Sequence, residues 1–456
     1  MGCKATLGEL CNFHRGASVP RARMFNSGNY LYIHYGDLYR GFEQRIDVED
    51  PAKPLPFILD SEKIKETQFL HDQDIVYVLT SETVDDLGHA FLFNNPRNRI
   101  TVSGTETTIV RIQRKDMVLP AYLNYVMQSP RFIAELRQYV RGMKVFRVHP
   151  NDAARISIDL PSLDKQAKVV AILDAIFEKQ LINNRLNGYL EELRKIIVSK
   201  EISCSIEREG SQWQHIPLKD VAQIQSGYSY KSAELVERSA IGMLGIKNFN
   251  RDGSYRSDGC KPIVPARAKA SQFVELGEII VAHTDLTQNA DIIGRAIQVI
   301  DSGGYERMLA SCDLVKVSSS DASISNELLA AMLQTEDFHN HCLGFVNGTT
   351  VLHLGKKALP EYMLKLPVDM QLRDRLELLF KSIAALQANI LRENRALEIT
   401  RDALLPKLMS GEIDVSKIDL RRLNSHLYVC ALHFASVHSP MYHMRLSGLD
   451  MRESLR

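Results

Sequence analysis

The apolar positions along this chain trace one pattern twice. Short β-branched runs come first, then a helix, then a long stretch of heptad-spaced leucines and isoleucines without proline. Residues 74–78 (DIVYV) and 107–112 (TTIVRI) predict strands, and so do their counterparts 278–282 (EIIVA) and 313–317 (DLVKV). Helices are expected through residues 120–127 and 327–333. The two halves pair at offsets that drift from 211 to 204 and back to 206, which places insertions in loops. At 206, Leu123 pairs with Leu329, Gln128 with Gln334, Phe132 with Phe338, Gly142 with Gly348 and Val145 with Val351. The same shift carries Leu160-Pro161 onto Leu366-Pro367, Leu173 onto Leu379 and Glu192 onto Glu398.

Beyond each Leu-Pro pair the period becomes that of a long helix. In the second half, positions 372, 376, 379, 383, 386, 390, 393, 397, 400 and 404 step by fours and threes, and eight of the ten are Leu or Ile. The first half offers Val170, Leu173, Phe177 and Leu181, then Leu186, Leu190, Leu193 and Ile197, with a stutter expected near Ile182. About 36 residues would make a rod of roughly 50 Å. An apolar seam needs a partner, and the repeat supplies one. The expected fold is α+β: two similar mixed α/β domains separated by two long helices packed as an antiparallel coiled coil, with a pseudo-twofold axis. The expected boundaries are 1–161 and 206–367 for the domains, 162–205 and 368–415 for the helices, and 416–456 for a C-terminal extension without a counterpart.

Composition adds little. At 456 residues, 45% hydrophobic and 24% charged, the chain is ordinary globular protein. Seven scattered cysteines without a CxxC pair favour reduced thiols in a cytoplasm, the expected location. No run reaches the roughly 18 apolar residues of a membrane span. Nucleotide-binding, zinc-protease and serine-hydrolase motifs are missing, and Asn94-Asn95-Pro96-Arg97 lacks the aromatic of a base-flipping methyltransferase motif. His339-Asn340-His341-Cys342 is the one metal-like string, but neighbours two apart on a helix face different ways, so no metal site is expected.

Basic residues carry more information than the formal charge of +1. Between Arg111 and Arg155 nine cations stand against three acids. Candidate DNA contacts in the first half are Arg21, Arg23, Tyr35, Arg40, Arg97, Arg99, Arg141, Lys144 and Arg147. In the second they are Tyr228, Lys231, Lys247, Arg251, Arg256, Lys356 and Lys357. Such side chains neutralise phosphates, and arginine can fork onto guanine.

The segments 277–287 (GEIIVAHTDLT), Ile293-Gly294-Arg295, 310–314 (ASCDL), 401–413 (RDALLPKLMSGEI) and 160–166 (LPSLDKQ) resemble the specificity subunit of type I restriction–modification systems. The resemblance spans almost all of residues 1–415. It implies two target-recognition domains, each reading half of a split double-stranded DNA sequence from the major groove. It also implies helices that measure the unread gap and dock two methyltransferase subunits, which a restriction subunit then joins. Val170, Leu173, Leu190, Leu193, Leu379, Ile383, Leu386, Ile390 and Leu397 are the expected docking positions. The chain itself would be non-catalytic and bind no cofactor, with S-adenosylmethionine, Mg and ATP held by its partners. Half-site centres would lie about 10 bp apart. The alternatives are a coiled-coil adaptor that never touches DNA and a DNA-modifying enzyme with an unfamiliar active site.

Overall fold

The computed structural model describes residues 3–418 except 39–41, 43, 51–52, 85, 208–212, 251–252, 286–289 and 350, and leaves the side chains of 201–207 undescribed. Arg40, Arg251 and the extension from 419 onward therefore lie outside the described residues. The chain divides into two compact units, Met1–Glu178 with Glu398–Arg456, and Lys179–Leu397.

In the first unit a five-stranded sheet runs in the order Cys11–Arg15, Thr107–Ile112, Ile75–Val78, Ala90–Asn94, Arg45–Asp47. All its neighbours are antiparallel except the last pair. A smaller sheet joins Phe57–Ile58, Tyr30–Ile33 and Thr101–Ser103. The second unit repeats the scheme with Ala222–Ser226, Leu314–Ser319, Ile279–Ala282 and Ala296–Gln298. Its other sheet holds Lys261–Pro262, Ile241–Leu244, Arg307–Ala310 and Phe273–Val274.

The central strand of each unit is apolar at every position because it feeds two cores. Ile75 and Tyr77 face one cluster while Val76 and Val78 face another. Ile279 and Val281 likewise part from Ile280 and Ala282. A strand covered on both faces reads as a continuous apolar run. Two helices follow in each unit, Pro120–Gln128 and Pro130–Arg137, then Asn326–Leu333 and Glu336–Leu343. The second of each pair begins on a hydroxyl cap: Ser129 Oγ accepts from the Phe132 N–H and Thr335 Oγ1 from the Phe338 N–H.

Each unit closes on a strand pair, Cys3–Thr6 with Ser157–Leu160 and Trp213–Pro217 with Met363–Pro367. The second strand of each pair leads into a long helix, Leu163–Glu207 or Met370–Ser410. The entry is pinned by a buried polar side chain. Gln166 Nε2 donates to the Pro161 carbonyl at 2.9 Å, and Arg373 Nε to that of Pro367 at 2.6 Å.

Gln166 and Arg373 are 207 apart, as are the helix starts, whereas the preceding strands match at 206. One extra residue thus precedes the second helix. A slip of one residue turns a helix face by 100°. The buried seam of the first helix is Gln166, Val169, Leu173, Ile176, Gln180, Asn183, Leu190, Arg194 and Val198. That of the second is Arg373, Leu376, Phe380, Ile383, Gln387 and Ile390. Leu379 and Leu386, assigned to the seam by leucine spacing, stay exposed.

No stutter occurs near Ile182. The threes-and-fours spacing runs on through Gln180 and Asn183, and hydrogen bonds make Asn183 tolerable inside the seam. Asn183 Nδ2 donates to Glu393 Oε2 and Asn394 Oδ1, both at 2.8 Å, and Asn394 Nδ2 donates to Asn184 Oδ1 at 2.8 Å. Gln387 Nε2 reaches Glu191 Oε2 at 3.5 Å, so within the second unit the two helices run antiparallel. In the first unit Val169 and Leu173 share a core with Leu405 and Leu408.

Candidate nucleic-acid interface

The basic segment 111–155 separates on folding. Arg111 turns inward to Asp74, Arg114 pairs with Asp116, and Arg131 pairs with Asp159. Lys115, Arg137 and Arg155 stay exposed, and three further cations gather on a hairpin. The backbone of Arg141 and Arg147 exchanges two hydrogen bonds, of 2.9 and 2.8 Å, and Phe146–Arg147 pairs with Thr80–Ser81. Gly142 makes the turn possible. Its φ is +114°, and a Cβ there would meet the Val145 carbonyl oxygen at 2.1 Å. The second unit repeats the device: Gly348 has φ +108° and would meet Val351 O at 2.3 Å.

Around this hairpin Arg141 reaches Asp152 at 3.2 Å and Arg147 reaches Glu106 at 3.8 Å, both remaining largely exposed. Lys144 is exposed, with no ion-pair partner among the described residues. A second cation group stands on the turn Arg21–Arg23. Arg21 lies 3.5 Å from Asp37 and 3.3 Å from His34 Nδ1, and the exposed Tyr35 ring lies against His34. Arg23 pairs with Glu62 at 3.2 Å. Arg97 is exposed and pairs with Glu49, whereas Arg99 is committed inward, donating to the Val48 carbonyl and lying over the Phe57 ring.

In the second unit Lys231, Lys247, Lys356 and Lys357 are exposed, the last beside Glu361 at 3.7 Å. Arg256 forks onto Asp258 at 2.6 and 2.8 Å. Tyr228 is buried, its hydroxyl donating to Glu234 at 2.8 Å, so it positions the loop and offers no ring to a base. Two histidines that sequence reading did not single out stand at this second hairpin: His353 lies in one of its strands, and the Leu354 N–H donates to the His283 carbonyl at 2.9 Å. Residues Thr284 and His353 are opposite in a strand pair, with Lys356 close by. Burial first, then the His353 charge, push the His283 imidazole below its ordinary value; Asp313 pulls the other way, and Lys356 adds a smaller push downward. The 206 offset carries Arg147 onto His353, which was the available signal.

Glu234 shows how the loop is held. Its carboxylate accepts from the backbone N–H of Lys231 at 2.9 Å and of Ala266 at 3.0 Å, besides the Tyr228 hydroxyl. These bonds, the backbone ones first, hold it below the usual carboxylate range. A depressed folded value makes this anchorage complete above the unfolded value of about 4.3 and lost as pH falls through the lower folded one. Glu234→Gln should therefore lose less melting temperature than the parent between about pH 5 and pH 3. Parallel acid scans would show that the carboxylate does not hold the loop.

The string 339–342 splits. His341 Nε2 meets the Ala358 carbonyl at 2.9 Å, His339 turns to Glu336, and Cys342 is buried in the core. No metal-competent cluster and no helix long and apolar enough to cross a membrane occur among the described residues.

Of the expected docking residues, Leu173, Leu190, Ile383 and Ile390 are buried in the seam or core, which removes them from any partner's reach. Val170 and Leu397 are half-buried. Leu193, Leu379 and Leu386 are 45%, 39% and 43% exposed, and Tyr189 and Ile196 extend the Leu193 stripe at helical spacing.

Two mixed α/β units, each closing on a strand that enters a long helix, define a class of paired-domain proteins. The chain is similar in fold to the type I restriction–modification S subunit from M. genitalium, with a TM-score of 0.51, 14% identity, and coverage of 90% of this chain and 96% of that one. The HsdS subunit from Thermoanaerobacter tengcongensis aligns over 90% of this chain and 97% of its own, at 15% identity and a TM-score of 0.33. No family model and no curated protein matches the sequence.

Proposed function

We propose that the chain is the sequence-specific DNA-recognition subunit of a type I restriction–modification complex. The observation that carries this reading is the duplicated unit: one architecture, built twice on a pair of long helices, in the fold of an S subunit. Duplication fits a bipartite duplex target. Residues 1–161 and 206–367 act as the two reading domains, and 162–205 and 368–415 as the spacer helices. The hairpin cations Arg141, Lys144 and Arg147, with Arg21, Arg23, Lys231, Lys247, Lys356 and Lys357, supply phosphate and base contacts. Catalysis comes from methyltransferase subunits that dock on the exposed stripe, and a restriction subunit completes the assembly.

Co-expression with a methyltransferase subunit, followed by mapping of methylated positions, tests the proposal. The expected product is methylation at a split sequence with a fixed gap. Methylation without sequence preference, or none despite stable assembly, would refute it. Binding by the assembled complex should weaken steeply with added salt, since phosphate contacts release counterions. An adaptor that never touches DNA would show no such binding.

The docking half of the proposal has its own readout. Leu193→Glu with Leu386→Glu places charge on the exposed stripe and should abolish co-purification of the methyltransferase subunit. The melting temperature should stay within about 2 °C, because exposed substitutions cost within about 0.5 kcal/mol. Retained co-purification would place the docking surface elsewhere.

A further inference from the structure

Met143 is 94% exposed, the most exposed large apolar side chain among the described residues, where the next is Leu378 at 68%. Single exposed apolar residues are common and mean little alone. This one stands at the tip of a pinned hairpin. The Arg141–Arg147 bridge closes its base, Gly142 fixes its turn, and Phe146 packs on the core of the first unit. Arg141, Lys144 and Arg147 surround the tip, while Asp152 and Glu106 lie at the outer two of these cations. A tip that is apolar at its apex and cationic on its flanks suits a ligand with an apolar feature set between anions.

Duplex DNA offers that arrangement in the major groove. The groove admits a two-stranded β-ribbon, its walls are phosphates, and its floor carries one apolar group, the thymine 5-methyl. Methionine, unbranched and polarisable, adapts well to a small apolar contact. The second unit has the same turn glycine in Gly348 but carries Thr349 and Thr350 where Met143 and Lys144 stand. Matched scaffolds with different tips are what two different half-sites require.

We infer that Met143 is a specificity-determining residue, inserted by the Arg141–Arg147 hairpin into the major groove to contact a thymine methyl in the half-site read by the first unit. This rests on the DNA-reading function proposed above. It adds one residue, one groove and one base group to that reading.

The test uses the full chain assembled with its methyltransferase subunits and duplexes carrying the methylation-mapped site. Uracil replaces each thymine of the first half-site in turn, removing only the methyl. One replacement should weaken binding by about tenfold, the scale of one buried apolar contact. Met143→Ala should weaken the thymine duplex similarly and be indifferent to that replacement. It should leave binding to random DNA and the salt dependence unchanged, because it removes no charge. Lys144→Ala should instead weaken all duplexes and lower the salt slope by about one.

If Met143→Ala binds the site as tightly as the parent, or stays as sensitive to uracil, the inference fails while the recognition function stands. If it blocks assembly with the methyltransferase subunits, the tip is a protein contact and the inference fails. If the assembled parent complex shows no sequence preference at all, the recognition function itself fails.

Discussion

Asp74→Ala should destabilise the first unit by about 3–5 kcal/mol, because it strands a buried cation. Asp74 accepts from Arg111 Nη2 at 2.7 Å and Nε at 3.1 Å, and from the His71 N–H at 2.8 Å. Its side chain is 4% exposed and that of Arg111 is 16% exposed, so neither charge finds water once the other is gone. Arg111 Nη2 also holds the Phe69 carbonyl at 2.7 Å, tying the small sheet's edge to the central one. For a unit of this size the loss corresponds to a drop of about 10 °C in melting temperature. Calorimetry of parent and variant measures it. A change below about 1 kcal/mol would mean that water or rearrangement compensates the guanidinium, contrary to this account.

The second unit builds the same lock from other residues. Lys316 Nζ donates to the Phe273 carbonyl at 2.9 Å and to Glu278 at 3.1 Å. Phe69 and Asp74 match Phe273 and Glu278 at the offset of 204, but Arg111 and Lys316 do not match. By strand register Lys316 stands where the first unit has Ile109, two residues away on the same face. A longer acid and a flexible cation span the diagonal. The acceptors are retained and the donor has moved, so the constraint is on the joint and not on one residue.

How much of this was legible in sequence depends on what each pattern encodes. The strand repeat was readable because a strand between two cores is apolar throughout, and 75–78 and 279–282 stand out for that reason. The long helices were readable from their length and heptads, but their inward face was not. Leucine spacing selected Leu379 and Leu386, whereas the seam uses Phe380 and Gln387. Two things misled it. One extra residue before the second helix shifts the repeat from 206 to 207, and polar side chains fill seam positions by bonding each other across the pair. Apolar periodicity cannot see a satisfied asparagine. Charge density along the chain failed similarly, since it cannot tell Arg111, spent on Asp74, from Lys144, which has no ion-pair partner among the described residues. The hairpin was written in Gly142 and Gly348, yet only the positive φ values show why those glycines match.

Exchanging residues 1–161 for the corresponding part of another chain of this fold should replace one half of the methylated sequence and leave the other half and the gap unchanged. The junction falls at Pro161, where the strand Ser157–Leu160 ends and the Gln166 side chain takes over the backbone carbonyl. Everything the seam of the second unit needs lies beyond it, so the helix register, and with it the gap, is inherited from the recipient. A full set of base contacts separates specific from non-specific binding by about 10³ or more, so the old half-site should drop out of the methylation map altogether. The donor must bring its own partners for Asp174 on the recipient's helix, which accepts from the Tyr125 hydroxyl at 2.7 Å and pairs with Arg45. A chimera that changed both halves would show that the two units do not read independently. One that changed the gap would show that the first unit, and not the polar bonds of Asn183 and Asn394, sets the helix alignment.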